Sequence, residues 1–200
     1  MSVALIDYGA GNLHSVHNAL RAAGAENLQI TADPEAVSRA DRIVLPGVGA
    51  FGACAGGLRA IDGMVEALEE RVLRQAAPFL GVCVGMQLMA QRGEEQGVHQ
   101  GLGWVPGTVR HLRPSPQVRV PHMGWNDVRP TVEHPLIQPG EAYFLHSFAF
   151  EGENVLATTD HGGPVVAAIG RDNIAGVQFH PEKSQRYGIT LLERFLKWRP

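Results

Sequence analysis

The chain has 200 residues with 17 Lys plus Arg against 20 Asp plus Glu, a formal charge of -3, so no general field draws it to nucleic acid or an anionic membrane surface. Its 44% hydrophobic and 18% charged residues exclude a disordered chain and argue for one domain over 1–200 with a single buried core. Two cysteines are too few for a disulfide-stapled secreted scaffold, the opening segment lacks a secretory pattern, and no apolar run approaches the roughly 20 residues that span a bilayer; a cytoplasmic protein is expected.

Val3 to Ile6 reads as a buried strand ending in the Gly9-Ala10-Gly11-Asn12 turn, followed by a helix carrying Val16, Ala19, Leu20 and Ala23 and stopping at Gly24. Leu28 to Ile30 reads as a second strand. Asp33-Pro34 then starts a helix through a side-chain cap and a preset proline dihedral. Arg42 to Leu45 is a third strand, running into Pro46-Gly47-Val48-Gly49, and a helix from about Met64 to Arg74 precedes a buried strand at Phe79 to Val84. Another helix is expected from Met86 to Ala90. This alternation predicts an α/β fold with a central, mostly parallel sheet covered by helices.

After Gly93 the pattern becomes short β-like runs: Gly103 to Arg110, Arg119 to Pro121, Ala142 to Phe150, Val155 to Thr159, Val165 to Ile169 and Ile174 to Phe179. These are expected as hairpins added to the first sheet or antiparallel strands continuing it, since Pro114 to Pro116 is too short to be a domain linker. Ile189 to Trp198 reads as a closing helix.

Gly81-Val82-Cys83-Val84-Gly85 has the form of a strand that delivers its last side chain into a sharp turn. Flanking glycines permit strained dihedrals and clear space for an arriving carbonyl, and a following helix would favour a thiolate, so Cys83 is a candidate nucleophile exposed at the strand end. A buried core thiol is the competing reading. Cys54 lacks both strand and elbow and is expected to be a packed thiol.

Gly176 to Phe179 is an apolar run that turns polar at His180-Pro181-Glu182-Lys183-Ser184, at the sheet edge where open α/β folds place chemistry. Pro181 favours an extended His180, and side chains two apart in extended structure point the same way. His180 is thus a candidate general base and acid with Glu182 orienting it, while His122, His134, His146 and His161 stand as alternatives. The glycines of Pro46 to Gly52 allow backbone N–H groups, with that of Val84, to face a developing oxyanion. Gln87 follows Cys83 as a neutral pocket-facing group. No Lys completes a phosphate loop after these glycines, and no pair has the short spacing of a zinc site, so neither cofactor nor metal is expected.

Together, Pro46-Gly47-Val48-Gly49, Gly81-Val82-Cys83-Val84-Gly85-Met86-Gln87 and His180-Pro181-Glu182-Lys183-Ser184 resemble the triad-type, class I glutamine amidotransferases. More narrowly, Gly9-Ala10-Gly11-Asn12, Pro121-His122-Met123-Gly124-Trp125-Asn126 and Tyr143-Phe144-Leu145-His146-Ser147-Phe148 resemble the glutaminase subunits of imidazole glycerol phosphate synthases, over essentially the whole chain. The resemblance implies hydrolysis of L-glutamine and passage of ammonia through a (β/α)8-barrel cyclase subunit in histidine biosynthesis. It implies Cys83, His180 and Glu182 as the triad, Val48 and Val84 as oxyanion donors, and Gly49, Gln87, Ser147 and Phe148 at the substrate. Met123, Trp125 and Asn126 would face the cyclase. It further implies that Val48 presents its N–H only after a peptide rearrangement coupled to the loaded partner. Val84 stands where Leu is usual in this family, which alters bulk but not the backbone donor. Two other readings stand beside this one: a stand-alone thiol hydrolase acting on another amide, and a non-catalytic regulatory partner.

Overall fold

The computed structural model describes residues 1–116 and 118–200. The first half runs β1 (Ser2–Ile6), α1 (Leu13–Ala22), β2 (Asn27–Thr31), α2 (Pro34–Arg39), β3 (Arg42–Leu45), α3 (Phe51–Ala60), α4 (Met64–Leu68) and β4 (Phe79–Val82). The second runs α5 (Val84–Gln87), β5 (Ala90–Gly93), β6 (His99–Gln100), β7 (Val105–His111), β8 (His122–Pro130), β9 (Gly140–His146), β10 (Phe148–Gly152), β11 (Val155–Asp160), β12 (Pro164–Arg171), β13 (Ile174–Val177) and α6 (Gln185–Lys197).

Nine strands form one sheet in the order β2-β1-β3-β4-β13-β12-β11-β8-β9. The pairings from β2 through β13 are parallel, and those from β13 to β9 are antiparallel. A parallel sheet buries both faces, which is why β3, β4 and β13 are buried along their whole length and read as continuous apolar runs rather than alternating ones. A second, four-stranded sheet has the order β10-β7-β5-β6. Asp33 caps α2 as expected, its carboxylate accepting from Glu35 N at 2.9 Å.

Three expectations are corrected and one helix is added. The helix expected over Met86 to Ala90 is the single turn α5, and Ala90 opens β5, because Leu102 N and Gly103 N reach back to the Leu88 and Ala90 carbonyls at 2.7 and 3.0 Å. The run Ala142 to Phe150 is two strands in different sheets, divided at Ser147, whose carbonyl accepts from Leu112 N at 2.8 Å. Arg119 to Pro121 forms no strand; β8 begins at His122. The helix α3 was not anticipated: its cap residue Ala50 has no side chain to offer, and Glu95, distant in sequence, supplies the missing acceptor to Phe51 N at 2.7 Å.

Candidate active site

β3, β4 and β13 are neighbours in the sheet and point the same way, so the residues leaving their C-terminal ends converge. Gly47 to Gly49 leave β3, Cys83 leaves β4 and His180 follows β13.

Cys83 has φ 54° and ψ -112°, a conformation that L-residues rarely adopt and that persists only where its surroundings hold it. One restraint is Cys83 N donating to Val177 O at 2.8 Å. Another is the close approach of β3 to the turn: a Cβ on Gly85 would run into the Leu45 carbonyl, so only glycine fits there. Two details differ from expectation. Cys83 is 4% exposed, set into a pocket rather than standing out at the strand end, and the helix behind it is one turn, too short for a sizeable macrodipole.

His180 is extended, as Pro181 requires, and its amide donates to Tyr143 O at 2.9 Å. The chain then turns through a 3-10 helix, Pro181–Lys183, and this turn, not continued extension, brings Glu182 back to the imidazole. Nδ1 of His180 lies 2.8 Å from Glu182 Oε1, with both side chains almost wholly buried. Burial disfavours the charged ring, but the Cys83 sulfur and the Glu182 carboxylate outweigh it and push the His180 pKa up to about 10. Glu182 Oε2 is buried without a hydrogen-bond partner among the described residues, so the imidazolium is the main compensation for that carboxylate.

On the opposite side, Gly47 O accepts from Val84 N at 3.3 Å. The flanking carbonyls are also held: Tyr8 Oη donates to Pro46 O at 2.7 Å and Cys54 Sγ donates to Val48 O at 3.3 Å. Burial pushes the Cys54 thiol up, keeping it the protonated donor this bond needs. Cys54 is thus the packed thiol expected of it.

A cavity of about 170 Å³ brings together Val48, Gly49, Cys83, Val84, Gln87, Ser147, Phe148 and His180. It also includes His146, one of the histidine alternatives, and Glu95, Leu145 and Lys183, to which the sequence reading gave no role. Lys183 and Leu145 sit inside motifs already singled out and were findable there; Glu95 carried no local signal. Among the histidine alternatives, His122 Nδ1 pairs with His146 Nε2 at 3.0 Å and the His122 ring stacks on His161. His134 lies apart, against Trp198.

Met123 and Trp125 are exposed on one face of β8, with the exposed Leu145 opposite Met123 on β9. Asn126 lies on the other face, its Nδ2 donating to Asp160 O at 2.8 Å and to His122 Nε2 at 3.0 Å. Among the described residues no helix is long and apolar enough to cross a membrane.

An imidazole paired with a carboxylate beside a strained thiol can carry out acyl transfer from a small amide. Comparison with known proteins agrees in kind. A family model described as glutamine amidotransferase class-I matches residues 4–198. Imidazole glycerol phosphate synthase subunit HisH of Zymomonas mobilis subsp. mobilis is 63% identical over 206 residues, covering 100% of this chain and 97% of that one. The subunit of the same name from Rhodopseudomonas palustris is 50% identical over 216 residues, with full coverage of both. A crystal structure described as a glutamine amidotransferase superposes with a TM-score of 0.76 at 20% identity over 98% of each chain, a likeness of fold.

Proposed function

The chain belongs to the class-I glutamine amidotransferase family, and on that premise we propose that it is the glutaminase subunit of an imidazole glycerol phosphate synthase. It hydrolyses L-glutamine to glutamate and ammonia, and the ammonia passes to a (β/α)8-barrel cyclase subunit in histidine biosynthesis. The whole chain acts as one cytoplasmic amidotransferase domain. The observation that carries the assignment of roles is the meeting of three strand ends: Cys83 in its strained turn faces the same pocket as His180, whose ring is paired with Glu182.

The Cys83 thiolate attacks the side-chain amide carbon while His180 holds the proton. The tetrahedral intermediate collapses to a γ-glutamyl thioester as His180 gives that proton to departing ammonia. Water, activated by the same ring, then releases glutamate and restores the thiol. Glu182 keeps the imidazole oriented and favours its charged form. Gly49, Gln87, Ser147 and Phe148 hold the amino-acid end of the substrate.

Val84 N–H is one oxyanion donor, but Gly47 O occupies it at rest. Because a peptide's C=O and N–H point oppositely, turning the Gly47–Val48 peptide over withdraws that carbonyl and presents Val48 N–H in one motion. Coupling the turn to the loaded cyclase prevents glutamine from being spent when no acceptor for ammonia is ready. The Met123 and Trp125 face supports docking of that partner, with Asn126 bracing it from behind. The deciding experiment is a glutaminase assay with the cyclase and its nucleotide substrate added in turn. Turnover that rises steeply only when both are present supports the reading; strong unpartnered turnover of another amide would sink it.

A further inference from the structure

Gln178 interrupts an otherwise apolar run and is wholly buried, a placement that leaves its amide dependent on partners inside the protein. Gln178 and His180 both lie just past the end of β13. One hydrogen-bond chain settles which way the amide points. Phe148 O is a carbonyl and can only accept, so the Gln87 atom 3.0 Å from it is Nε2. The same Nε2 lies 3.0 Å from Gln178 and gives it the second hydrogen, so the Gln178 atom facing Gln87 is the oxygen. The remaining atom, Nε2 of Gln178, therefore faces Cys83 Sγ at 3.7 Å. Reversing Gln178 would set two amide nitrogens against each other and an oxygen against the sulfur, leaving buried polar groups unpaired.

The chain's origin is itself fixed. Phe148 O also accepts from His146 Nδ1 at 2.9 Å, which assigns that ring's hydrogen and leaves its Nε2 to accept from His122 Nδ1 at 3.0 Å.

We propose that Gln178 is a positioning residue for the nucleophile: an N–H donor locked onto the Cys83 sulfur by the Phe148–Gln87–Gln178 chain. This rests on Cys83 being the nucleophile. A neutral donor adds hydrogen bonding to the sulfur without a positive charge that would compete with the His180 imidazolium. The chain also uses both Gln87 hydrogens internally, so Gln87 offers its oxygen to the pocket.

The test is the rate of iodoacetamide alkylation at Cys83 from pH 5 to 9, followed by peptide mass mapping, in the full chain and in Gln178→Met and Gln178→Glu. The titratable groups around the sulfur, His180, Glu182, Glu95, Lys183, Tyr8 and Cys54, are the same in the parent and in Gln178→Met, whereas Gln178→Glu adds one carboxyl beside the sulfur. Loss of a hydrogen bond to a charged group is expected to slow alkylation about tenfold at pH 6 in Gln178→Met and to raise the profile's midpoint, with a larger effect in Gln178→Glu. Identical profiles in folded variants would overturn the proposal.

If both variants unfold, the wild-type protein still decides. The Gln178 side-chain N–H resonances are expected to move with Cys83 alkylation and to shift in Cys83→Ala; resonances indifferent to both would refute the contact. Wild-type protein that hydrolyses glutamine while the Gln178 variants alkylate normally would count against Gln178 alone. Absence of glutaminase in the wild-type complex would instead remove the catalytic reading beneath it.

Discussion

The Gly47 carbonyl oxygen lies 3.3 Å from the Val84 amide nitrogen, so the chain's own backbone takes up a donor that a tetrahedral intermediate would need. Pro46 O and Val48 O are pinned on either side by Tyr8 and Cys54, so the Gly47–Val48 peptide lies between two held carbonyls. A Cβ on Gly47 would meet Tyr8 Oη at 2.7 Å and Gly85 N at 2.8 Å. Gly47→Ala is expected to lower cyclase-activated glutaminase kcat by about 10²–10³, the cost of losing one oxyanion donor, while ammonia-supported synthesis continues. Parallel assays with glutamine and with ammonium check both halves.

Glu182→Gln replaces the carboxylate that orients His180 without changing its shape. A fall in kcat of about 10²–10⁴ is expected, together with a drop of the His180 pKa from about 10, read by NMR titration of the ring. The sign for stability follows. A raised folded pKa contributes stability that is fully present below the unfolded value near 6.5 and is lost as pH rises through about 10. The variant should therefore lose less stability than the parent between pH 7 and 10 in denaturant titrations.

The His122 and His146 pair has the opposite sign. Burial depresses these pKa values to about 4 and about 3, so between pH 6.5 and 4 the unfolded chain binds protons that the folded chain refuses. Stability should fall as pH drops through that window. The double variant His122→Gln, His146→Gln should show a flatter acid limb; an equally steep limb would exclude the pair as its source.

Arg42 is buried and donates to Phe195 O at 2.9 Å and Trp198 O at 2.5 Å, tying β3 to the last turn of α6. Arg42→Met keeps the volume but leaves those carbonyls unpaired. A loss of about 2–3 kcal/mol is expected, with a melting temperature lowered by about 5 °C or more and kcat of the assembled enzyme nearly unchanged. Thermal melts and steady-state assays of the same preparation test it.

Trp125→Glu places a charge on the exposed apolar face of β8, where Trp125 is 47% and Met123 66% exposed in the free chain. The free protein's melting temperature should not fall. Its dissociation constant for the cyclase should rise at least tenfold, as for a truncated aromatic anchor, and titration calorimetry measures it directly.

The strands β1 to β4 and β11 to β13, the Cys83 elbow, the Asp33 cap and the polar ending of the His180 strand were legible in the sequence, because each depends on near neighbours: apolar runs, glycines beside a strained turn, and a proline fixing the residue before it. What local sequence could not contain was which ends meet. The order β3-β4-β13 brings Gly47, Cys83 and His180 together across some 130 residues of chain, and it is set by packing between parallel strands. The same holds for the features that departed from expectation. The helix after Cys83 stops at one turn because residues 101–105 donate to the carbonyls of residues 88–91, which a longer helix would need, and Ser147 divides two sheets because β7 captures the strand that follows it. The Gln178 amide has a direction only because Phe148, far from it in sequence, offers a carbonyl that cannot donate. Local chemistry determined which residues could react; long-range hydrogen bonds and strand order decided how they are held and that the Val84 N–H is taken up by the Gly47 carbonyl.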